Sequence, residues 1–397
     1  MTTVASPIPD PATRPPVPWQ PPPQLLELAD AGRVASAYIG SHDGVRSGAD
    51  RVRLRWQELR RWLRAQGAPE SMLSALDECT RRPLGRGETL AAFAAADGRH
   101  HVHHLAGILG ADHATIGPLP SVLPLLSARQ RQVPMVVVST RDGGAEMLVV
   151  EPGVPDLLCQ VAGEDLLVSG ATRDGDRWQR LERAERARTT NVRAIVECLT
   201  WLVDCSGARL VVVDGDPGTC RLLHSLLEPR IGRLLFESRN SRGGMKQLAA
   251  RGKSLAGDIA AADEQAAVAG VVAGLAEGRA CVGSAPTLRA VLAGHAEEVL
   301  LAPEQMRGTR STGPAVGRPR AHRPGWSAVS SLAGRVPATP DQLVHAATAT
   351  STVVRTVRNG QLLQGGVGAL LRHPSSVQDG APGGLHSVPD HLGAMGG

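Results

Sequence analysis

The stretch "ARLVVVDGDPGTCRLLHSLL" (208–227) constrains the fold most. Leu210 to Val213 are four consecutive aliphatic residues with no polar alternation, so this strand must be covered on both faces. Asp214 and Gly215 then begin a glycine-bearing turn, and the apolar spacing changes from a strand's to a helix's. This is the pattern of a parallel βα unit, and it excludes an open antiparallel sheet with one wet face.

The flanking sequence extends the unit. "VPMVVVSTRDGGAEMLVV" (133–150) is two apolar runs joined through Asp142-Gly143-Gly144, which predicts a hairpin. After "SGATRDGDRWQ" (169–179), Val192, Ile195, Val196, Leu199, Leu202 and Val203 recur at helical spacing. "GRLLFES" predicts another strand, then comes the loop "SRNSRGGMKQLAARGKS" (238–254), then a helix over "GDIAAADEQAAVAGVVAGLAEG".

On the N-terminal side, "ASAYIGS" (35–41) reads as a strand. Val52, Leu54, Trp56, Leu59 and Leu63 fall mostly on one face of a helix that Gly67 closes. "PESMLSALDECTRR" gives a second helix, "ETLAAFAAADG" a strand, and "HHVHHLAG" its hairpin partner. Beyond the middle segment, "ACVGSAPTLRAVLAGHAEEVLLAPE" (280–304) predicts helix then strand, and "TPDQLVHAATATSTVVRTVRN" resumes a third α/β unit. The expected organisation is a disordered Pro-rich leader (1–23), an N-terminal α/β domain (24–130), a middle α/β domain (131–264), a C-terminal α/β domain (265–373) with a basic loop at 305–327, and a disordered tail (374–397).

Composition limits the functional classes. Aromatic residues are 2% of the chain, with one tyrosine, too few for a base-stacking platform of the usual Phe/Tyr kind. Lys+Arg is 43 against Asp+Glu 38, a mild lean toward polyanions carried almost wholly by arginine. The six cysteines stand in no C-x-x-C spacing, which indicates neither a zinc site nor a disulfide framework and suits a reducing cytoplasm. The N-terminus lacks a basic segment followed by an apolar core, and no apolar run reaches the roughly 18 residues of a membrane span.

Each candidate site has a plain structural alternative. The "VVVDGDPGT" turn (211–219) could aim backbone N–H groups at a phosphate, but it completes neither nucleotide-binding glycine motif and is read as an ordinary βα turn. His100, His101, His103 and His104 could hold a metal or be solvated on an exposed hairpin. "RLERAERAR" reads as a solvated helix face. Loop 305–327 collects Arg307, Arg310, Arg318, Arg320 and Arg323 without an acid, which suits phosphates or a partnerless basic insertion. No catalytic Ser, Zn or paired-acid motif stands out, and no cofactor or metal is expected.

The ordered set "YIGS", "GPLPSVLPLL", "PMVVVSTRDGGAEMLVV", the long helix, "LVVVDGDPGTCRLLHSLL", "DQLVHAATATSTVVRTV" and "GGVGALLRH" resembles the bacterial branch of the archaeo-eukaryotic release factor family, over about residues 25 to 373. Its relatives include eukaryotic class-one release factors, Pelota and the hibernation factor Balon, and the likeness is to actinobacterial members. The resemblance implies a three-domain α/β protein with a mixed-sheet middle domain and a third domain of the kink-turn-binding ribosomal-protein type, seated in the ribosomal A site as a cytoplasmic monomer. Elongation factor Tu or another translational GTPase is an implied partner, and no membrane is.

In true release factors a Gly-Gly-Gln loop between the first hairpin of the middle domain and its long helix positions the hydrolytic water. Here "SGATRDGDRWQ" stands there without that tripeptide, so the resemblance implies ribosome binding without ester cleavage, in a hibernation or stress role. On this reading the rRNA or tRNA contacts are Arg173 and Arg177 at the middle-domain tip, Arg242, Lys246 and Lys253 in the second loop, and Arg318 and Arg320 in the third domain. The alternatives are a peptidyl-tRNA hydrolase using Gln179 or Gln247, and a protein-interaction module in the stress response.

Overall fold

The computed structural model describes residues 16–374 apart from 42–44, 86, 108, 142, 152–155, 164–174, 239–243 and 307–337. A short helix α1 (Pro23–Leu26) leads into strand β1 (Val34–Gly40), helix α2 (Val45–Ala65) and helix α3 (Glu70–Cys79). Strands β2 (Glu88–Ala95), β3 (His100–Ala106) and β4 (His113–Gly117) complete an antiparallel sheet in the order β3-β2-β1-β4. Strand β4 is short and half-buried throughout, and was not foreseen from the sequence. On α2 the stripe Val52, Trp56, Leu59 and Leu63 faces the sheet. Leu54, two residues from Val52 and so about 200° round the helix, is 57% exposed. Helix α4 (Leu123–Gln130) then leads to the middle domain.

The middle sheet comprises β5 (Met135–Arg141), β6 (Gly144–Val150), β7 (Leu157–Val161), β8 (Leu210–Asp214) and β9 (Leu235–Glu237), ordered β7-β6-β5-β8-β9. It is mixed: β5, β6 and β7 pair antiparallel, while β8 lies parallel to β5 and β9 parallel to β8. The unbroken apolar strand is covered on both faces, as its sequence requires. Val211 and Val213 pack with Val192, Ile195 and Leu199 of helix α5 (Gly175–Ser206), whereas Leu210 and Val212 pack with Leu248 and Ile259 of the long helix described next. Each such fully covered side chain contributes roughly 1.5–3 kcal/mol of gross burial.

Helices α6 (Pro217–Leu226) and α7 (Pro229–Gly232) connect β8 to β9, and α8 (Gly244–Ala276) follows. The expected domain boundary at 264/265 falls inside α8. Its first half buries Leu248, Ala256, Ile259 and Ala260 against the middle sheet, and its second half buries Ala267 and Val271 against the next. The expected glycine loop 238–254 is likewise helix from Gly244 onward. Of the described helices, α8 alone is long and apolar enough to cross a membrane, but here it seats on two sheets.

The third sheet has β10 (Ala280–Val282), helix α9 (Ser284–Leu292), β11 (Ala296–Leu301), helix α10 (Pro303–Met306), helix α11 (Pro340–Ala349), β12 (Val353–Thr356) and β13 (Val367–Leu371), with strand order β10-β13-β11-β12. One face of this sheet packs under the second half of α8, through Leu300, Ala302, Val357 and Leu363, and the other shares its core with the N-terminal unit. Leu288, Val299, Leu343 and Val354 belong to one continuous cluster with Leu25, Tyr38, Phe93 and Leu126 of the N-terminal unit.

The leader was expected to be disordered as far as residue 23, but residues 16–22 are extended and held. Gln20 donates to Val354 O at 2.9 Å and accepts from Val354 N at 3.0 Å, and Arg355 donates to Pro16 O at 2.8 Å. An extended peptide is ordered when its amides and side chains replace the water that an edge strand would otherwise bind.

Candidate nucleic-acid interface

Strand direction and register bring the middle-domain loops to one edge. Strands β5, β8 and β9 all end there, since Ser139 pairs with Asp214 and Val213 with Glu237. The β5–β6 turn lies at the same edge, and β7 also ends there because Val161 pairs with Ala145. The chain after β7 that leads to α5, the 214–216 turn and the chain entering α8 therefore leave from the carboxyl ends of the parallel strands. In α/β sheets ligands gather at that end.

The 214–216 turn is locked from within. Gly215 sits where a Cβ would collide with Thr140 Oγ1, so only glycine permits this approach of β5 and β8. Asp216 caps α6, accepting from Gly218 N and Thr219 N at 3.0 Å each, and Arg188 Nη2 of α5 donates to it at 2.5 Å. Burial alone would raise its carboxyl, but the Thr219 and Gly218 hydrogen bonds and the Arg188 charge hold it below the usual carboxylate range. The turn is thus an ordinary βα turn and not a phosphate cradle: the helix N–H groups that would hold an anion already bind the protein's own carboxylate.

Of the expected contact residues, Lys246 and Lys253 are exposed on α8. Seven residues apart, they share one helix face about 10 Å apart along the axis, with Lys246 in the first turn at the loop-bearing edge. Arg177 falls in α5, but its side chain lies outside the described residues, as do Arg173, Arg242, Arg318 and Arg320 altogether. Sequence reasoning passed over Arg141, exposed where β5 ends in the hairpin, and Arg193 on the outer face of α5. The signal for Arg141 was its place beside Asp142-Gly143, the hairpin turn itself.

In the histidine cluster His100 is exposed, as the spacing suggests, but His103 is packed. His103 on β3 packs edge-on to Trp19 at 6.1 Å and to Phe93 at 6.4 Å, and its Nε2 has no hydrogen-bond partner. Burial, with Arg129's charge behind it, pushes its imidazole down to about 4. Its unfolded counterpart titrates near 6.5, so between pH 6.5 and 4 the unfolded chain binds the extra proton. Stability should therefore fall on acidification through that window, by about 2 kcal/mol for this group after discounting its partial solvent screening. Urea midpoints at pH 7 and pH 4 should differ less in His103→Leu than in the parent chain. An equal acid loss in both would assign the drop elsewhere.

The chain is similar in part to known proteins. Residues 134–277 match the model of bacterial archaeo-eukaryotic release factor family 2. The uncharacterized protein Rv2629 of Mycobacterium tuberculosis H37Rv is 25% identical over 211 residues, 51% of this chain and 55% of that protein, so the match spans about half of the relative's length. Among solved structures, ribosome-bound archaeal Pelota with ABCE1 is 13% identical (TM-score 0.38), over 88% of this chain and 93% of that chain. Saccharomyces cerevisiae Dom34, a translation termination-like factor that interacts with Hbs1, is 11% identical (TM-score 0.39), over 73% and 81%.

Proposed function

We propose that this release-factor-like protein, whose residues 134–277 match the model of bacterial archaeo-eukaryotic release factor family 2, binds the ribosome in the cytoplasm and occupies the A site of idle or stalled particles without cleaving peptidyl-tRNA. The observation that carries the reading is the match of residues 134–277 to that family's model in a sequence with no Gly-Gly-Gln tripeptide. The loop between the first strands and the long helix is where that tripeptide would have to stand. Among the described residues the loop-bearing edge carries Arg141 and Lys246, both exposed and without an ion-pair partner, beside the half-buried carboxylates Asp214 and Glu237 that end β8 and β9, and Lys253 lies further along α8.

Such groups meet phosphates as point charges and forks without reading sequence. Arg173, Arg177, Arg242, Arg318 and Arg320 extend the same reading to segments that leave the edge or belong to the third domain. A hibernation or stress role follows from a factor that fills the site but lacks the hydrolytic tripeptide, and a translational GTPase such as elongation factor Tu is the proposed delivery partner of a monomer.

The test is co-sedimentation of the full chain with vacant 70S ribosomes across a salt series, with peptidyl-tRNA release read on the bound fraction. Binding should weaken steeply with salt. Lys246→Ala/Lys253→Ala should reduce the log–log slope by roughly 1.4–1.8, two phosphate contacts' worth. Unchanged slope in the double variant removes the lysines from the interface, and absence of binding removes the proposal. Release that disappears in Gln247→Ala would replace it with the hydrolase reading, since Gln247 is exposed beside Lys246 at the same edge.

A further inference from the structure

The N-terminal unit, the middle domain and the third sheet meet around a cavity of about 310 Å³, walled in part by Trp19, Arg129, Gln132, Glu151, Arg209 and Arg355. We propose that this cavity binds a small oxyanion, a phosphate or carboxylate group that also carries a hydrogen-bond donor, with Arg129 as its cationic anchor.

Arg129, near the end of α4, is 6% exposed, and its Nε and Nη1 have no hydrogen-bond partner. Its guanidinium lies over the Trp19 ring at 5.9 Å, and no carboxylate among the described residues pairs with it. A buried cation left in that condition is costly, and a bound anion is the ordinary remedy.

The other charges around the cavity are already committed. Arg209 holds Asp263 by a two-nitrogen fork at 2.7 and 3.1 Å. Arg355 holds Glu298, and Glu264 accepts from the backbone N and Nε of Arg358 at 2.9 and 3.2 Å. That leaves Arg129 and, among the described residues, one carboxylate without an ion-pair partner, Glu151.

Two further features shape the ligand. Gln132 donates through Nε2 to Ala106 O, but its Oε1 is buried without a donor, so the occupant should supply one. Glu151 on the same wall disfavours a second negative charge, which selects a monoanionic group, and Trp19 offers a flat apolar surface. The volume lies at the small end of ligand sites, so the occupant has mononucleotide size or less. Because the wall draws on all three parts of the chain, a ligand there would hold them in one relative arrangement.

This inference needs no ribosome, and its failure is read separately from that of the ribosome proposal. The experiment is calorimetric titration and thermal melting of the full chain at about pH 5.5, where phosphate groups carry mostly a single charge, with inorganic phosphate, adenosine monophosphate and lactate as three arms. At least one should bind with a Kd below about 1 mM and raise Tm, and which arm binds identifies the source of the oxyanion.

Arg129→Met should weaken that binding by about tenfold or more, since it removes the charge-assisted fork. The ligand-free variant should melt no lower than the parent, because an unpaired buried charge has been exchanged for a chain of similar reach. Arg129→Lys keeps the charge but loses the fork, and should weaken binding by a smaller factor, which covers the case of a misfolded methionine variant. Glu151→Gln should tighten phosphate. No binding in any arm, or undiminished binding in both Arg129 variants, overturns the proposal.

Discussion

Arg355→Met is expected to destabilise the chain by about 3–5 kcal/mol, measured as a shift of the urea midpoint at constant slope. Arg355 on β12 and Glu298 on β11 are 6% and 3% exposed, and Arg355 Nε donates to Glu298 Oε1 at 2.5 Å. The methionine variant leaves the Glu298 carboxylate buried with no cation, and it also removes the donor that Arg355 Nη2 supplies to Pro16 O. The energy lost is mainly the desolvation of the stranded partner, since a buried pair by itself is often no better than two apolar side chains. The control follows from the same argument. Glu298→Leu/Arg355→Met should recover most of the loss, giving a coupling of about 2 kcal/mol or more in the double-mutant cycle. A single-variant loss under about 1 kcal/mol would mean that water reaches the pair.

Gln130→Ala should cost about 2–4 kcal/mol, because one side chain there satisfies both sides of a sheet edge. Strand β12 lies at the edge of the third sheet, so its outward backbone groups have no strand to pair with. Gln130 Nε2 donates to Val354 O at 2.7 Å and to Trp19 O at 2.8 Å. Its Oε1 accepts from Thr356 N at 2.8 Å and from Thr356 Oγ1 at 3.0 Å. Gln20 bonds both the N–H and the carbonyl of Val354 on the same strand, and so two glutamines stand in for a missing strand.

Hydrogen exchange should quicken at Thr356 N in Gln130→Ala, and protease should cut more readily near Val17, because the segment loses its Trp19 anchor. Gln130→Glu keeps the acceptors but loses the donors, and should fall between the two. If exchange at Thr356 N is unchanged in Gln130→Ala, the glutamine is not what protects the edge.

How far the sequence was legible depended on the range of each interaction. Val211 and Val213 face one helix while Leu210 and Val212 face another, and that alternation within an apolar run could be read from four adjacent residues. The α2 stripe was legible in the same way, apart from Leu54, which helical geometry alone would have placed outside. The third unit was read as helix then strand, yet Ala280–Val282 is a three-residue strand paired with β13 nearly ninety positions away, too short to show a period of its own. The α8 boundary was misplaced because the sequence pattern marks where a helix is apolar and does not say which sheet covers each half.

The site divides similarly. Lys246 and Lys253 were found because a pair of lysines in an arginine-rich chain stands out, while Arg141 needed the hairpin to put it on the same edge. The 214–216 turn read as an ordinary βα turn for want of a complete glycine motif, but that Arg188, twenty-eight residues earlier, and the Asp216 cap close it against an external anion was decided by packing.

By itself the sequence determined the layered middle domain, the order of its elements and the absence of the hydrolytic tripeptide, because these depend on residue identity and on contacts between near neighbours. Tertiary structure alone decided that His103 is packed and held neutral, that residues 16–22 complete a distant strand, that one α8 serves two sheets, and that Arg129 is buried beside a cavity without an anion of its own. Those properties rest on desolvation and on partners brought together from separate parts of the chain, and neither is a property of any local stretch.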